Sequence, residues 1–249
     1  QPNHNGNLPI HYLCRNNDLD EVVAIDILSL LLGAFQESVQ RENLNWALPI
    51  HTAARSGMSP KFLKILVDSH PESVRIPDGG DRMLPIHFAC ESNNCRLDSV
   101  GYLLDIYPEG INIEASACWL PIHCAADSNG PQKTDVIEYL LMKDPTCASK
   151  ATEDGEYPLH LACYSQPNLA SIQLLFDAYP EAIVKTNNQG ETPLEFGRAK
   201  AEKAANVIAF LEAQLVYAEK SQDMNAMTTL DQNSQSPLHH ALQDNASLG

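Results

Sequence analysis

The chain has 249 residues, 44% of them hydrophobic, a length that suits one or two globular domains or a single elongated array. Its formal net charge is −16, from 32 acidic against 16 basic side chains, so a bare electrostatic grip on nucleic acid or an anionic membrane would be repulsive, and a charged partner is expected to be basic. No run of about 18 apolar residues and no basic-then-apolar amino terminus occurs in this stretch, which argues against a membrane span or signal peptide and for a soluble chain.

From Leu8 the sequence reads LPIHYLCRNN, and near-copies follow: LPIHTAARSG from Leu48, LPIHFACESN from Leu84, LPIHCAADSN from Leu120 and YPLHLACYSQ from Tyr157. Weaker echoes stand at TPLEFGRAKA and SPLHHALQDN. The motif prolines Pro9, Pro49, Pro85, Pro121, Pro158, Pro193 and Pro237 are separated by 40, 36, 36, 37, 35 and 44 residues. A second mark, at HPES, YPEG, DPTC and YPEA, puts Pro71, Pro108, Pro145 and Pro180 on the same period. Two independent marks with one period define a repeat.

Within each unit the motif proline suits the first position of a short helix, where its missing N–H costs nothing. A polar break follows, then a longer amphipathic run: SPKFLKILVD from Ser59, LDSVGYLLDIY from Leu97, TDVIEYLLM from Thr134 and NLASIQLLFDAY from Asn168. Ser59 before Pro60 makes an N-cap and first-turn pair. The second proline is expected to stop this helix, leaving a polar turn such as IPDGGDRM, TEDGEY or TNNQGE. Each unit therefore reads as helix, helix, exposed turn. The sixth differs, because Ala199 to Met227 contain neither Gly nor Pro, and one continuous helix is predicted over 203–226 with Val207, Ile208, Phe210, Leu211 and Leu215 on its packed stripe.

The TPLH-like motif, the small pair Ala53-Ala54, the Leu-rich end of the second helix and the DG turn before the next motif resemble ankyrin repeats, in a variant longer than the usual 33 or so residues. The likeness covers nearly the whole chain and is strongest over 48–197. It implies an all-α solenoid of stacked helix pairs with projecting β-hairpin or loop fingers, in which neighbouring units supply the core that one unit cannot build alone. The units run at about 8–47, 48–83, 84–119, 120–156, 157–191 and 192–235, with a partial unit at 236–249. Residues 1–7 read as the tail of a preceding finger, as if the chain were a piece of a longer array.

His11, His51, His87, His123, His160 and His239 recur once per unit, with Glu195 in their place in the sixth. A shared metal is a poor reading, since stacked helices lie about 8–10 Å apart and zinc–imidazole bonds span about 2 Å. In ankyrin repeats this histidine bonds between finger and helix, and that structural role is what the resemblance implies here. Cys14, Cys90 and Cys163 fall five residues after a motif proline, where Ala54 and Ala126 stand in other units, so they read as small packing residues. Cys95 and Cys118 are the two expected to be exposed and oxidisable, and seven irregularly spaced cysteines without a CxxC point to a reducing, intracellular and cytoplasmic setting. No phosphate loop, HExxH or GxSxG is present, and neither cofactor nor metal is expected.

The leading functional reading is a monomeric, non-catalytic scaffold for a protein or peptide. The alternatives are a regulatory or targeting segment of a larger enzyme or channel and, remotely, a hydrolase built on Cys and His. The resemblance places the partner on the concave face, at the ends of the first helices and at the fingers. The candidates are Arg55, Glu91, Asp127 and Tyr164 on helices, each followed by a serine (Ser56, Ser92, Ser128, Ser165), and Trp46, Arg82, Met83, Trp119, Glu156 and Glu191 on fingers. Trp, Tyr and Arg rank first because they dominate interface hot spots, although each Trp could instead lie as cover against a neighbouring finger. Between residues 84 and 132 Arg96 is the only base, which again favours a basic partner.

Overall fold

A computed structural model describes residues 6–165, 167–198 and 205–228; among them the chain forms twelve α-helices and no strand. They come in pairs: α1 (Pro9–Arg15) with α2 (Glu21–Ala34), α3 (Pro49–Arg55) with α4 (Pro60–Ser69), α5 (Pro85–Glu91) with α6 (Leu97–Ile106), α7 (Pro121–Asp127) with α8 (Lys133–Lys143), α9 (Pro158–Tyr164) with α10 (Leu169–Ala178), and α11 (Pro193–Arg198) with α12 (Ala205–Thr228). First helices stack serially on first helices, and second helices on second helices. One continuous apolar core runs between the two rows.

Each short helix opens by the same chemistry. Its N-cap residue, Leu8, Leu48, Leu84, Leu120 or Tyr157, is extended and has no capping oxygen within reach. The histidine three residues on compensates: its Nδ1 accepts the N-cap N–H at 2.9–3.2 Å. In α11 the substitute Glu195 does the same work, since its carboxylate accepts from both the N–H and the hydroxyl of Thr192 at 2.9 and 2.8 Å. The local geometry is thus kept where the motif departs.

The second prolines do more than stop a helix. Pro71–Arg75, Pro108–Asn112, Pro145–Ser149 and Pro180–Val184 are 3₁₀ turns, matched in the first unit by Gln36–Gln40. Proline drives the residue before it out of the helical region, as at His70 with φ −149°, and then supplies the φ of a new first turn. Each turn buries one apolar residue at the same register: Val39, Val74, Ile111, Ala148 and Ile183.

Between the first helices Ala54, Ala126, Cys14, Cys90 and Cys163 occupy one fully buried register, and burial pushes the Cys163 thiol up to about 12. Cys95 corrects the expectation of exposure. It is buried, because the break between α5 and α6 folds beneath the next unit, where Gly130 packs on its Cβ. Cys118 is exposed, as expected. α12 runs unbroken for 24 residues against 10 or 11 in α4, α6, α8 and α10, with Val207 and Leu211 buried and Phe210 edge-on to Phe176. Residues 203 and 204, His239, the partial unit at 236–249 and residues 1–5 lie outside the described residues.

Candidate functional site

The loops between units project as fingers, each closed across its base by a backbone hydrogen bond, such as Asn43 N–H to Ala47 O at 3.1 Å and Asp78 N–H to Met83 O at 2.9 Å. Side chains at the finger base complete the turns: Asn43, Asp78, Thr152 and Asn187 accept from N–H groups further round the loop. Fingers are also tied to one another, by Gly79 N–H to Trp46 O, Ser116 N–H to Asp81 O, Glu153 N–H to Ala117 O and Asn188 N–H to Asp154 O. The row is a braced surface with fixed tips.

One position at these tips is unusual. Two residues before each motif begins, the backbone is left-handed: Gly6, Trp46, Arg82, Cys118, Gly155 and Gly190 have φ between 55° and 82°. Three units use glycine, which adopts this conformation freely. Three consecutive units place Trp, Arg and Cys there, at a cost of about 1 kcal/mol each. Trp46 projects with 60% of its surface exposed, its Cβ seated against Gly79 of the next finger. Arg82 is exposed as well.

Fingers and first-helix ends together enclose an open groove of ≈ 910 Å³. Of the ten helix and finger candidates it gathers four, Trp46, Arg55, Glu91 and Asp127. Arg55 pairs with Glu91 at 2.9 Å and lies 4.6 Å over the Phe88 ring. Asp127 accepts from Ser165 Oγ. The other six do not line the groove, Met83 and Glu191 among them, both half-buried in their fingers. Arg82 stands at its finger tip, half-buried Trp119 lies tilted against His123 at 6.2 Å, and Tyr164 stacks on Phe196 at 4.8 Å. Glu156 is half-buried, and its carboxyl is pushed up first by that burial and then by Asp154, Asp127 and Glu191. Trp119 is therefore partly cover, and Trp46 is display. Ser92 and Ser128, expected on the surface, are buried turn residues instead: Ser92 Oγ accepts from Asn94 N–H and Ser128 Oγ from Gly130 N–H.

Sequence reasoning missed two features of this face. Asn45, Asn93, Asn94 and Asn129 line the groove, and their signal was present in the polar breaks and finger loops that were read only as turns. Lys133, buried to 6% exposure, donates to Ser165 O at 2.9 Å; burial pulls its ammonium down to about 8, against the pull of Asp127. A lysine at a helix start looks solvated in sequence. Only the next unit's backbone reveals its partner.

The histidine row is structural. With Nδ1 accepting, each ring is the neutral Nε2–H tautomer, and Nε2 donates to a distant carbonyl: His51 to Ile76 at 2.9 Å, His87 to Ile113 at 3.0 Å, His123 to Lys150 at 3.1 Å and His160 to Glu191 at 3.2 Å. Each bond ties a first helix to the segment just after a 3₁₀ turn or to the finger. His11 is the exception, since its buried Nε2 has no partner in hydrogen-bonding geometry, although the Ala47 and Arg41 backbones lie close enough to oppose the lowering of its pKa. His123→Ala is expected to cost about 1–3 kcal/mol in urea unfolding, because it orphans the Leu120 N–H and Lys150 carbonyl, while a chelator leaves the melting curve of the intact chain unchanged. Loss of helicity on adding chelator would refute this role.

Residues 50–151 match the family model for ankyrin repeats, in three copies. No curated protein is similar enough in sequence to count as a relative. Among solved structures, the chain is similar to the human ASB11 ankyrin repeat domain, at 22% identity and a TM-score of 0.62, covering 86% of each chain. It is also similar to a chain in the structure of the predatory endopeptidase Bd0816 from Bdellovibrio bacteriovorus in complex with the immunity protein Bd3460, at 15% identity and a TM-score of 0.63, covering 86% of this chain and 99% of that one. At these identities the likeness establishes the fold.

Proposed function

We propose that the chain is a member of the ankyrin-repeat family, whose repeats are protein-interaction modules, and a non-catalytic scaffold holding a basic protein segment or peptide in the groove between its fingers and first helices. The observation that carries this reading is the left-handed tip position. Local physics favours glycine there, yet Trp46 and Arg82 occupy it with their side chains exposed. At a strained and solvent-exposed position a large side chain gains the fold little net of the left-handed strain, whereas Trp and Arg are hot-spot residues at interfaces. The groove's acids, Asp78, Asp81, Glu91 and Asp127, outnumber its bases, Arg15 and Arg55, which suits a cationic segment and faster association with it. Seven free cysteines, six of them buried, accord with action in a reducing intracellular compartment.

The test separates binding from stability. A display library of random peptides would be panned on the intact chain, and the enriched peptides measured against variants. Trp46→Gly is expected to weaken binding by about 2 kcal/mol or more, near thirtyfold, while stability stays within about 0.5 kcal/mol because left-handed strain is relieved as packing is lost. Arg82→Gly is expected to raise stability by about 0.5–1 kcal/mol. Lys64→Ala on α4, which removes only the exposed pair with Asp68, should leave binding intact. Full binding by Trp46→Gly, or its loss in Lys64→Ala, would place the interface elsewhere.

A further inference from the structure

Because six helix pairs succeed one another among the described residues, positions recur, and their surroundings can be compared along the stack. Three recurring positions face the preceding pair. On the first helix, three residues after the motif proline, Phe88 meets His51 edge-on at 5.6 Å, and Phe88, Cys124 and Leu161 are all buried. On the second helix, eight residues before the one that enters the 3₁₀ turn, Ser99 Oγ donates to Met58 O at 2.7 Å and Ser171 Oγ pairs with Thr134 Oγ1 at 2.8 Å. Phe62 and Val136 share that register, and all four are at most 2% exposed. Three residues further on, Tyr139 reaches back to Gly101 of α6, and Ile65, Tyr102 and Leu174 are likewise half-buried.

In the first pair these positions hold Tyr12, Ile27 and Leu30. Tyr12 is 51% exposed and Leu30 73%, and Ile27 is only half-buried. Val23, at 46%, extends the stripe, so that Val23, Ile27, Leu30 and Leu31 follow i, i+4, i+7, i+8 along one face of α2. An outermost unit whose free face was meant for water would carry polar residues there. Here the register that elsewhere holds hydrogen-bonded Ser99 and Ser171 carries isoleucine, and the contact it prepares is wholly apolar.

We propose that the outer face of α1 and α2 is a docking surface for one further helix pair of the same kind, stacked on α1 and α2 as these are stacked on α3 and α4. The argument is continuity: in the four pairs that follow, the counterparts of Ile27 are all buried, those of Leu30 are all half-buried, and those of Tyr12 are buried in Phe88, Cys124 and Leu161 and half-buried in Thr52. The surface lies at the end of the stack and is independent of the groove, so either assignment can fail alone.

The experiment adds such a neighbour. In the full chain, residues 1–7 would be replaced by a copy of residues 48–83, whose last residue natively precedes Leu84, the counterpart of Leu8. A second version would use residues 84–119, which natively precede Leu120. Amide exchange in α1 and α2 is expected to slow at least about tenfold, binding of a dye for apolar surface to fall severalfold, and the melting temperature to rise by about 4 °C or more. Leu30→Arg should abolish these gains in the extended chain and leave the stability of the original chain unchanged, because Leu30 touches little there. Unchanged exchange in α1 and α2 with both added pairs would overturn the proposal. So would a dimer of the original chain, seen by ultracentrifugation and dissociated by Leu30→Arg, since the occupant would then be a second copy.

Discussion

Acidification from pH 6.5 to pH 4 is expected to unfold the protein, and the histidine row is the reason. Burial, opposed only in part by the backbone bonds each ring makes, pulls His51, His87, His123 and His160 down from 6.5 to about 4, and His11 moves in the same direction. A histidine whose folded pKa is lowered contributes stability that is fully present above the unfolded value of about 6.5. As pH falls below that value the unfolded chain takes up protons that the folded chain refuses, and stability declines until the folded pKa near 4 is reached. A shift of this size corresponds to about 3 kcal/mol per ring. Four such rings match or exceed a typical domain's whole stability of about 5–15 kcal/mol. Urea midpoints measured from pH 7.5 to 4.5 should be flat at the upper end and fall steeply below 6.5. The carboxylates with lowered pKa, Glu21, Asp98, Asp144 and Glu195, act in the same sense but only in the more acidic range, so the fall above pH 5 belongs to histidine. A constant midpoint down to pH 5, or the assigned resonances of His51, His87, His123 and His160 titrating near 6.5 in the folded protein, would refute the account.

Gly57→Ala is expected to be the most damaging single methyl in the described chain, at about 3 kcal/mol. Gly57 has φ +71°, and a Cβ built there would lie 2.2 Å from the carbonyl oxygen of Asn94 in the next unit. Because the obstacle is backbone, no rotamer change relieves it, and the break between α3 and α4 must move away from that between α5 and α6. Gly33→Ala is the control. Gly33 lies near the exposed end of α2 with nothing within 4 Å of the new methyl, and the change should stabilise by about 0.5–1 kcal/mol through helix propensity. Chemical denaturation of the two variants checks both signs, and equal effects would mean that the close approach between units does not exist.

Asn94 and Gly57 illustrate why the sequence fell short where it did. Read along the chain, Ser56-Gly57 was simply a polar break, since the contact that makes glycine necessary comes from a residue 37 positions away. Cys95, Ser92 and Ser128 were placed at the surface for the same reason: in these loops burial is conferred by the following unit, not by local polarity. Trp46 and Trp119 looked equivalent as finger residues. Their fates differ because Trp46 takes the left-handed tip while Trp119, one residue past the corresponding Cys118, has returned to extended backbone over His123.

What the sequence determined by itself was whatever one unit specifies locally. Proline at the first helical position, histidine three residues after the N-cap, apolar residues at helical spacing and the uninterrupted run that became α12 each act within a few residues of themselves, and so the repeat, the helix pairs and the structural histidines were legible before any coordinates. What only the tertiary structure decided was everything that depends on which unit lies next: the buried 3₁₀ turns, the partner of Lys133, the composition of the groove, and the apolar face of α2 that has no neighbour among the described residues. In a stacked array the core is made between units, and a side chain's exposure is set by a surface some 35 residues distant that no local pattern encodes.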